Sequence, residues 1–327
     1  MNKNFYQAVV CKKIGSLNNL ELHSLKSKRL HTGEVRINVK ACGMNFPDKL
    51  MVEGKYQFKP ELPFTPGLEV SGVISETFDE NINFTVGTKI MSQLRFGGYA
   101  EEIIVNKKDI IKMPSNFSFE EAAGFRVAAQ TAYVSLIERA SIKENEFLLI
   151  LGAAGGVGLA AVQLGKVLGA KIIAISSSQN KQSICKELGA DYSLGYKNLR
   201  KNILDITSGE GVDIIYDPVG GDFFDIALKC IKWGGKYLII GFAGGYVPSL
   251  PMNIALIKGI SVLGVRAGEY FRRFPDKKEK AIVNLYRFAE SGLINPKIYK
   301  ILNLKEAVKG LKMIENREVI GRLILKP

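Results

Sequence analysis

The rhythm of hydrophobic and polar positions changes near Pro114. Before it, Val35-Arg36-Ile37-Asn38-Val39 alternates cleanly and Val70 to Ile74 forms a second run. Gly33, Gly43, Gly54, Gly67, Gly72, Gly87 and Gly97-Gly98 punctuate such runs, which predicts short strands with few helices. Ser118-Phe119-Glu120-Glu121 then reads as a capping box opening an Ala-rich helix, in two pieces, to about Arg139.

From Glu146 a strand–helix alternation begins. Phe147 to Leu151, Lys171 to Ile175, Val212 to Tyr216, Gly235 to Gly241 and Ile260 to Val265 read as strands. Helices are expected over Gly156 to Leu168, Lys181 to Leu188 and Phe223 to Ile231. Continuous apolar strands alternating with helices imply an α/β fold with a doubly wound parallel sheet. After Arg273 come a helix to Glu290, a helix near Lys305 to Ile314, and a last strand, Ile320 to Leu325.

At 327 residues the chain is long enough for one large domain or two smaller ones. It has two histidines, His23 and His31, and four scattered cysteines, Cys11, Cys42, Cys185 and Cys230. No Cys-x-x-Cys pair or Cys/His cluster occurs, which argues against a structural zinc lobe and suits a reducing compartment. The N-terminal segment is too polar for a signal peptide, and the longest apolar stretch, Phe147 to Leu164, is broken by glycines. A cytoplasmic protein with no membrane span is expected. The net charge of +13 comes from 45 basic residues, only twelve of them Arg, spread along the chain. That pattern reads as a solvated lysine surface rather than a nucleic-acid footprint.

The strongest motif is Gly152-Ala153-Ala154-Gly155-Gly156-Val157-Gly158, after a buried strand and opening a helix. Glycine lets backbone turn tightly and approach a pyrophosphate, while the helix N-terminus offers amides and positive dipole. The next strand ends in Ser176-Ser177-Ser178, where an NAD-selective fold places an acid for the ribose 2′-hydroxyl. Hydroxyls with Lys181 downstream favour a 2′-phosphate, hence NADPH. No Tyr-x-x-x-Lys pair, Gly-x-Ser-x-Gly elbow, His-Glu-x-x-His or Walker A sequence is present.

Several segments together resemble a known family: Ala41 to Asp48, Gly54-Lys55-Tyr56, Leu62 to Gly72, Gly152 to Gly158, Asp217 to Gly221 and Gly241 to Gly244. The chain is similar to zinc-independent medium-chain dehydrogenases/reductases, in the NADPH:quinone oxidoreductase branch. The resemblance implies a Rossmann-type domain over 123–267 and a β-rich GroES-like catalytic domain over 1–122 and 268–327. The resemblance puts Leu68 at the zinc enzymes' His position and Asn45, or a neighbour that is not Cys, at their Cys position, so no metal is expected. The family implies that Asn45 and Thr131 hold the nicotinamide ribose, that Tyr56 borders the pocket, and that Arg266 is a pocket arginine. Asn45, Tyr56 and Arg266 are thus the expected catalytic donors. Cofactor contacts are expected from Gly152, Ala154, Gly155, Gly156 and Val157, and from Val219, Gly241, Phe242 and Ala243. Ser176, Ser177, Lys181 and Tyr196 are expected around the 2′-phosphate. Relatives pair through an edge strand of the cofactor domain, here Ile260 to Val265, so a homodimer is expected.

Without a metal-ligand set, the chemistry that fits is hydride transfer to an electron-poor quinone or enone, whose developing oxyanion needs only hydrogen-bond donors. A variant is enoyl-thioester (acyl-CoA) reduction. An alternative of another class is an NADPH-binding protein with an RNA-binding or structural role. Arg126 reads as a solvent or ion-pair residue, and Trp233 as core or a lid over the sheet.

Overall fold

The structure, a computed structural model, describes residues 4–78 and 84–327; the polar start Met1 to Lys3 lies outside the described residues. Two compact units form, one from Met1–Val127 with Pro296–Pro327, the other from Ala128–Asn295.

In the first unit, β1 (Phe5–Cys11) pairs antiparallel with β2 (Leu20–Lys26). The alternation at Val35 is the inward face of β3 (Glu34–Gly43), where Val35, Ile37 and Val39 are buried. After β3 comes a short helix, α1 (Phe46–Val52), then β4 (Glu69–Thr77), β5 (Lys89–Gln93), β6 (Glu102–Asn106) and β7 (Ile110–Lys112). β4 and β6 both pair antiparallel with β3, β5 pairs with β4, and β7 with β5. The capping box is present: Ser118 N–H donates to Glu121 Oε2 at 2.7 Å and Glu121 N–H to Ser118 Oγ at 3.2 Å. It opens α2 (Phe119–Tyr133), which runs into a π-helical segment over Val134–Arg139, the expected two pieces.

The second unit alternates β8 (Phe147–Ile150), α3 (Gly156–Val167), β9 (Lys171–Ile175), α4 (Gln179–Glu187), β10 (Tyr192–Leu194) and α5 (Leu199–Ile206). It continues with β11 (Val212–Asp217), α6 (Phe223–Leu228), β12 (Ile231–Ile239), α7 (Met252–Lys258), β13 (Ser261–Gly264), α8 (Ala267–Arg273) and α9 (Pro275–Glu290). The strands pair in parallel in the order β10-β9-β8-β11-β12-β13. The order reverses between β8 and β11, and such a switch point opens a crevice at the carboxyl ends of the strands.

The chain then returns to the first unit through β14 (Ile298–Asn303), α10 (Ala307–Glu315) and β15 (Arg322–Lys326). β15 pairs parallel with β14 and antiparallel with β3.

Three expectations are corrected. Residues 268–295 belong to the second unit, and the first boundary falls at Val127 within α2. The reason is packing: α9 buries Ala281, Leu285 and Ala289, Asn284 Nδ2 donates to Tyr133 Oη at 3.0 Å, and Tyr270 Oη donates to Glu138 at 2.8 Å. Trp233 is 77% exposed rather than core. Arg126 is buried, its Nη1 donating to the Asp109 carbonyl at 2.9 Å.

Candidate active site

The glycine-rich turn leaves β8 at the switch point. Gly152 sits at φ +56°, a conformation that favours glycine, and a Cβ there would lie 2.8 Å from Val219 Cγ2. At Gly158 a Cβ would fall 2.6 Å from the Ala153 carbonyl oxygen, so only glycine lets α3 pack against the turn. Gly155 is different. It is the N-cap of α3, makes no side-chain cap, and its Cβ position meets nothing nearer than the Gly152 oxygen at 3.4 Å. The first amides of a helix have no intrahelical acceptor, so this end suits a pyrophosphate.

The opposite wall is organised by Asp217, at the end of β11. Its Oδ1 accepts from Val219 N–H at 2.7 Å and Gly220 N–H at 2.8 Å, and its Oδ2 from Tyr237 Oη at 2.7 Å. Burial pushes the Asp217 carboxyl up, against these donors. The loop after β12 is tied to the same turn: Ala243 N–H donates to the Pro218 carbonyl at 3.1 Å, and Gly241 N–H to the Asp217 carbonyl at 3.3 Å. Val219, Gly241, Phe242 and Ala243 therefore share one wall, facing the Gly152 turn through Val219.

At the end of β9 the serines divide. Ser176 N–H donates to the Leu194 carbonyl at 3.0 Å, fixing the ends of β9 and β10 side by side. The Ser176 side chain is buried beside the Cys185 thiol, its hydroxyl otherwise unpartnered. Ser177 is exposed, and Ser178 caps α4 by accepting from Lys181 N–H at 3.4 Å. The first turn of α4 contains no acid. Tyr196 follows β10 and packs on Phe223, the rings tilted by 31° with centroids 3.9 Å apart. Ser177, Lys181 and Tyr196 thus gather where β9 and β10 end.

In the first unit Asn45 caps α1, with Asp48 Oδ2 accepting the Asn45 N–H at 2.8 Å. The carboxamide is buried and fully engaged. Its Nδ2 donates to the Gly43 carbonyl at 3.2 Å and to Glu69 Oε1 at 3.1 Å, while its Oδ1 accepts from Arg322 Nη1 at 3.0 Å. Arg322 Nη2 also pairs with Glu69 Oε1, and Glu69 Oε2 accepts Val127 N–H at 2.9 Å. Both amide hydrogens are engaged within this network. Asp48 lies beneath, accepting from Gly67 N–H at 3.1 Å and Tyr99 Oη at 2.9 Å. Burial pushes its carboxyl up to about 7. Sequence reasoning missed Arg322, Asp217 and Tyr99 as site-building residues. Arg322 and Tyr99 act through partners distant in the chain, which no local spacing announces, whereas Asp217 works through Val219 and Gly220 in its own turn as well as through Tyr237.

Tyr56 is half-buried after the C-terminal end of α1, its N–H donating to the Leu50 carbonyl at 3.1 Å. Asn45 and Tyr56 thus flank the two ends of α1. Thr131 lies on α2, where its carbonyl accepts from Ser135 Oγ at 2.6 Å. Arg266 belongs to the second unit. It follows β13 directly and is exposed at the start of α8.

Comparison with known proteins agrees with this architecture. Residues 31–115 match the alcohol dehydrogenase GroES-like domain, and residues 156–282 match the zinc-binding dehydrogenase domain. The chain is 34% identical to a quinone oxidoreductase-like protein 2 homolog of Nematostella vectensis, over 98% of this chain and 88% of that protein. It is 32% identical to the Bos taurus quinone oxidoreductase-like protein 2, over 98% and 92%. The solved Escherichia coli quinone oxidoreductase complexed with NADPH superposes with a TM-score of 0.89 at 27% identity, over 99% of each chain. The chain is a medium-chain oxidoreductase with a GroES-like domain and a Rossmann-type domain. It belongs to the medium-chain dehydrogenase/reductase superfamily, among the quinone oxidoreductase-like proteins.

Around Leu68 and Asn45 the described side chains do not form a metal-ligand set. Leu68 offers no donor atom, the Asn45 carboxamide is engaged, and Glu69 is held by Arg322. Cys42 is buried against the Gly98 carbonyl, and burial pushes its thiol up to about 12. Among the described residues no three of His, Cys, Asp and Glu gather, and no helix is long and apolar enough to cross a membrane.

Proposed function

We propose that this protein is an NADPH-dependent, zinc-independent reductase that transfers hydride to a quinone or a related electron-poor carbonyl. The carrying observation is the pair of features at the carboxyl ends of β8 and β9: an uncapped glycine turn before α3, and an acid-free turn with Ser177, Lys181 and Tyr196. Amides at Gly155 to Val157 hold the pyrophosphate, with Gly152 and Ala154 shaping the turn. Lys181 neutralises the 2′-phosphate, with Ser176, Ser177 and Tyr196 around it. Val219, Gly241, Phe242 and Ala243 wall the dinucleotide, and Thr131 holds the nicotinamide ribose.

Bound NADPH supplies the hydride from the reduced nicotinamide. The chain's own task is positioning and stabilising charge. As the family resemblance implies, Tyr56 and Arg266 are the donors assigned to the developing oxyanion. Asn45 acts as a positioning residue, its cap holding α1 in place. Because a quinone or enone delocalises that charge, hydrogen-bond donors suffice without a Lewis acid.

Purified protein is tested by following nicotinamide absorbance with 1,4-naphthoquinone, an enone and an enoyl thioester. Turnover with NADPH and at least one acceptor is expected. No turnover with any of them, together with salt-dependent RNA binding, points instead to a non-enzymatic role. Lys181→Ala is expected to raise the KM for NADPH about tenfold with little change for NADH; equal effects on both contradict the assignment. The buried thiols of Cys11, Cys42, Cys185 and Cys230 suit a reducing cytoplasm. The edge strand β13 and the exposed side chains beside it support a homodimer.

A further inference from the structure

At the amino ends of β8 and β9, away from the switch point, the second unit holds an open cleft of about 510 Å³. Three stretches of chain build it. Tyr133 ends α2, and Ile137 lies on the π-helical segment that follows. Ser141 then turns the chain at φ +49°, and Ile142 N–H returns to the Leu136 carbonyl at 2.9 Å. Leu168 closes the C-terminal end of α3. From α9 come Asn284, Arg287 and Phe288, which stand three and four residues apart and so share one face of that helix. Because α3 is 12 residues long, the cleft lies about 18 Å along it from the glycine turn.

The lining divides by chemistry. Ile137, Ile142, Leu168 and Phe288 form an apolar wall, each half-buried, so part of every side chain still meets solvent. Asn284 Nδ2 donates one hydrogen to Tyr133 Oη at 3.0 Å, which leaves its second amide hydrogen uncommitted. Arg287 is exposed, and among the described residues its guanidinium makes no ion pair or side-chain hydrogen bond. Glu290, the acid one turn further along α9, is engaged by the Tyr286 hydroxyl. Among the described residues no acid lines the cleft.

An apolar wall with one uncommitted cation fits an amphipathic anion of single charge. A guanidinium meets a carboxylate through two parallel N–H···O bonds, and one carboxylate neutralises one guanidinium. A phosphate dianion leaves a negative charge unmatched beside the apolar wall, and burying such a charge is costly. The volume lies in the range that holds small ligands.

We propose that this cleft is a second ligand site, for an apolar monocarboxylate. Its tail lies on Ile137, Leu168 and Phe288, and its carboxylate pairs with Arg287, with Asn284 Nδ2 as the adjacent donor. The residues that build it are separate from the glycine turn and from the Ser177–Lys181 region. The site therefore goes beyond the reductase reading and does not depend on it.

The test uses the whole protein saturated with NADPH, so that anion contacts of the cofactor site are filled. Calorimetric titration is expected to show octanoate binding about fivefold tighter than hexanoate, because two more methylenes leave water. Arg287→Ala is expected to weaken octanoate about fivefold, the scale of an exposed ion pair. K300A, which removes an exposed lysine from the first unit, is expected to leave it unchanged. Octylammonium is expected to bind the wild type more weakly than octanoate, and Arg287→Glu to reverse that order. Absence of octanoate binding by the wild type, equal affinity for hexanoate and octanoate, or full affinity in R287A overturns the proposal. An equal loss in K300A, or an unchanged order in R287E, also overturns it. Turnover of R287A without octanoate is expected to match the wild type, so failure of the reductase reading registers in the turnover assay and failure of this site in the titration.

Discussion

At Asn45 the chain carries a residue able to donate, and the fold engages both of its amide hydrogens. The Gly43 carbonyl and Glu69 take them, and Arg322 takes the oxygen. Glu69 is the centre of this arrangement, buried between the Arg322 guanidinium, the Asn45 carboxamide and Val127 N–H. Arg322→Met removes one partner of a buried charge pair and is expected to destabilise the protein by about 3–5 kcal/mol, read by denaturant unfolding. A loss below about 1 kcal/mol contradicts that account. Asp48 supplies a second expectation. Burial lifts its carboxyl from 3.8 to about 7, against the donors Tyr99, Asn45 and Gly67. The folded chain then holds this proton more tightly than the unfolded chain. Its contribution to stability is therefore highest below about pH 4 and falls as the pH rises through the window to about 7. Asp48→Asn is expected to flatten that slope in unfolding midpoints measured across the window, and an unchanged slope refutes the assignment.

At the scale of elements, the βα unit around α3 shows why three glycines in one motif are not interchangeable. A methyl at Gly158 meets backbone atoms at 2.6 and 2.7 Å, whereas one at Gly155 meets only an oxygen at 3.4 Å. Gly158→Ala is expected to cost about 1–3 kcal/mol of stability through overpacking. Gly155→Ala is expected to keep the unfolding temperature and weaken NADPH about tenfold, because its methyl occupies the approach of the pyrophosphate. Thermal unfolding and cofactor titration of the two variants separate these effects, and identical behaviour contradicts the distinction. The same βα alternation was readable from apolar runs. The short elements α1, α7, β10 and β14 were not, because three to seven residues carry too little periodicity of their own. Ile231, expected to end a helix, instead begins β12, where Val212 and Ile231 pair beside a register shift.

For the whole molecule, the notable surface is the free edge of the parallel sheet. Among the described residues β13 pairs only with β12, and Trp233 on β12 with Met252, Leu256 and Ile257 on α7 are 77%, 75%, 82% and 69% exposed. An unpaired edge flanked by apolar side chains is a template for association, and a second copy presents the same edge. L256E/I257E is therefore expected to sediment as a monomer where the wild type sediments as a dimer, with secondary structure unchanged. A monomeric wild type contradicts the homodimer.

The sequence by itself determined the βα alternation, the glycine turn and the missing acid after the second strand of that alternation. These are local facts: apolar period, turn chemistry and the residue at a strand's end are all read within a few neighbours. Tertiary structure alone decided which distant residues complete the site. Arg322 reaches Asn45 across 277 residues and Glu69 across 253, because β15 pairs with β3 at Cys42 and Gly43 beside both. It also decided that Trp233 is exposed, Arg126 buried, and α8 and α9 part of the second unit, since burial depends on what packs opposite a residue and local pattern does not encode that partner.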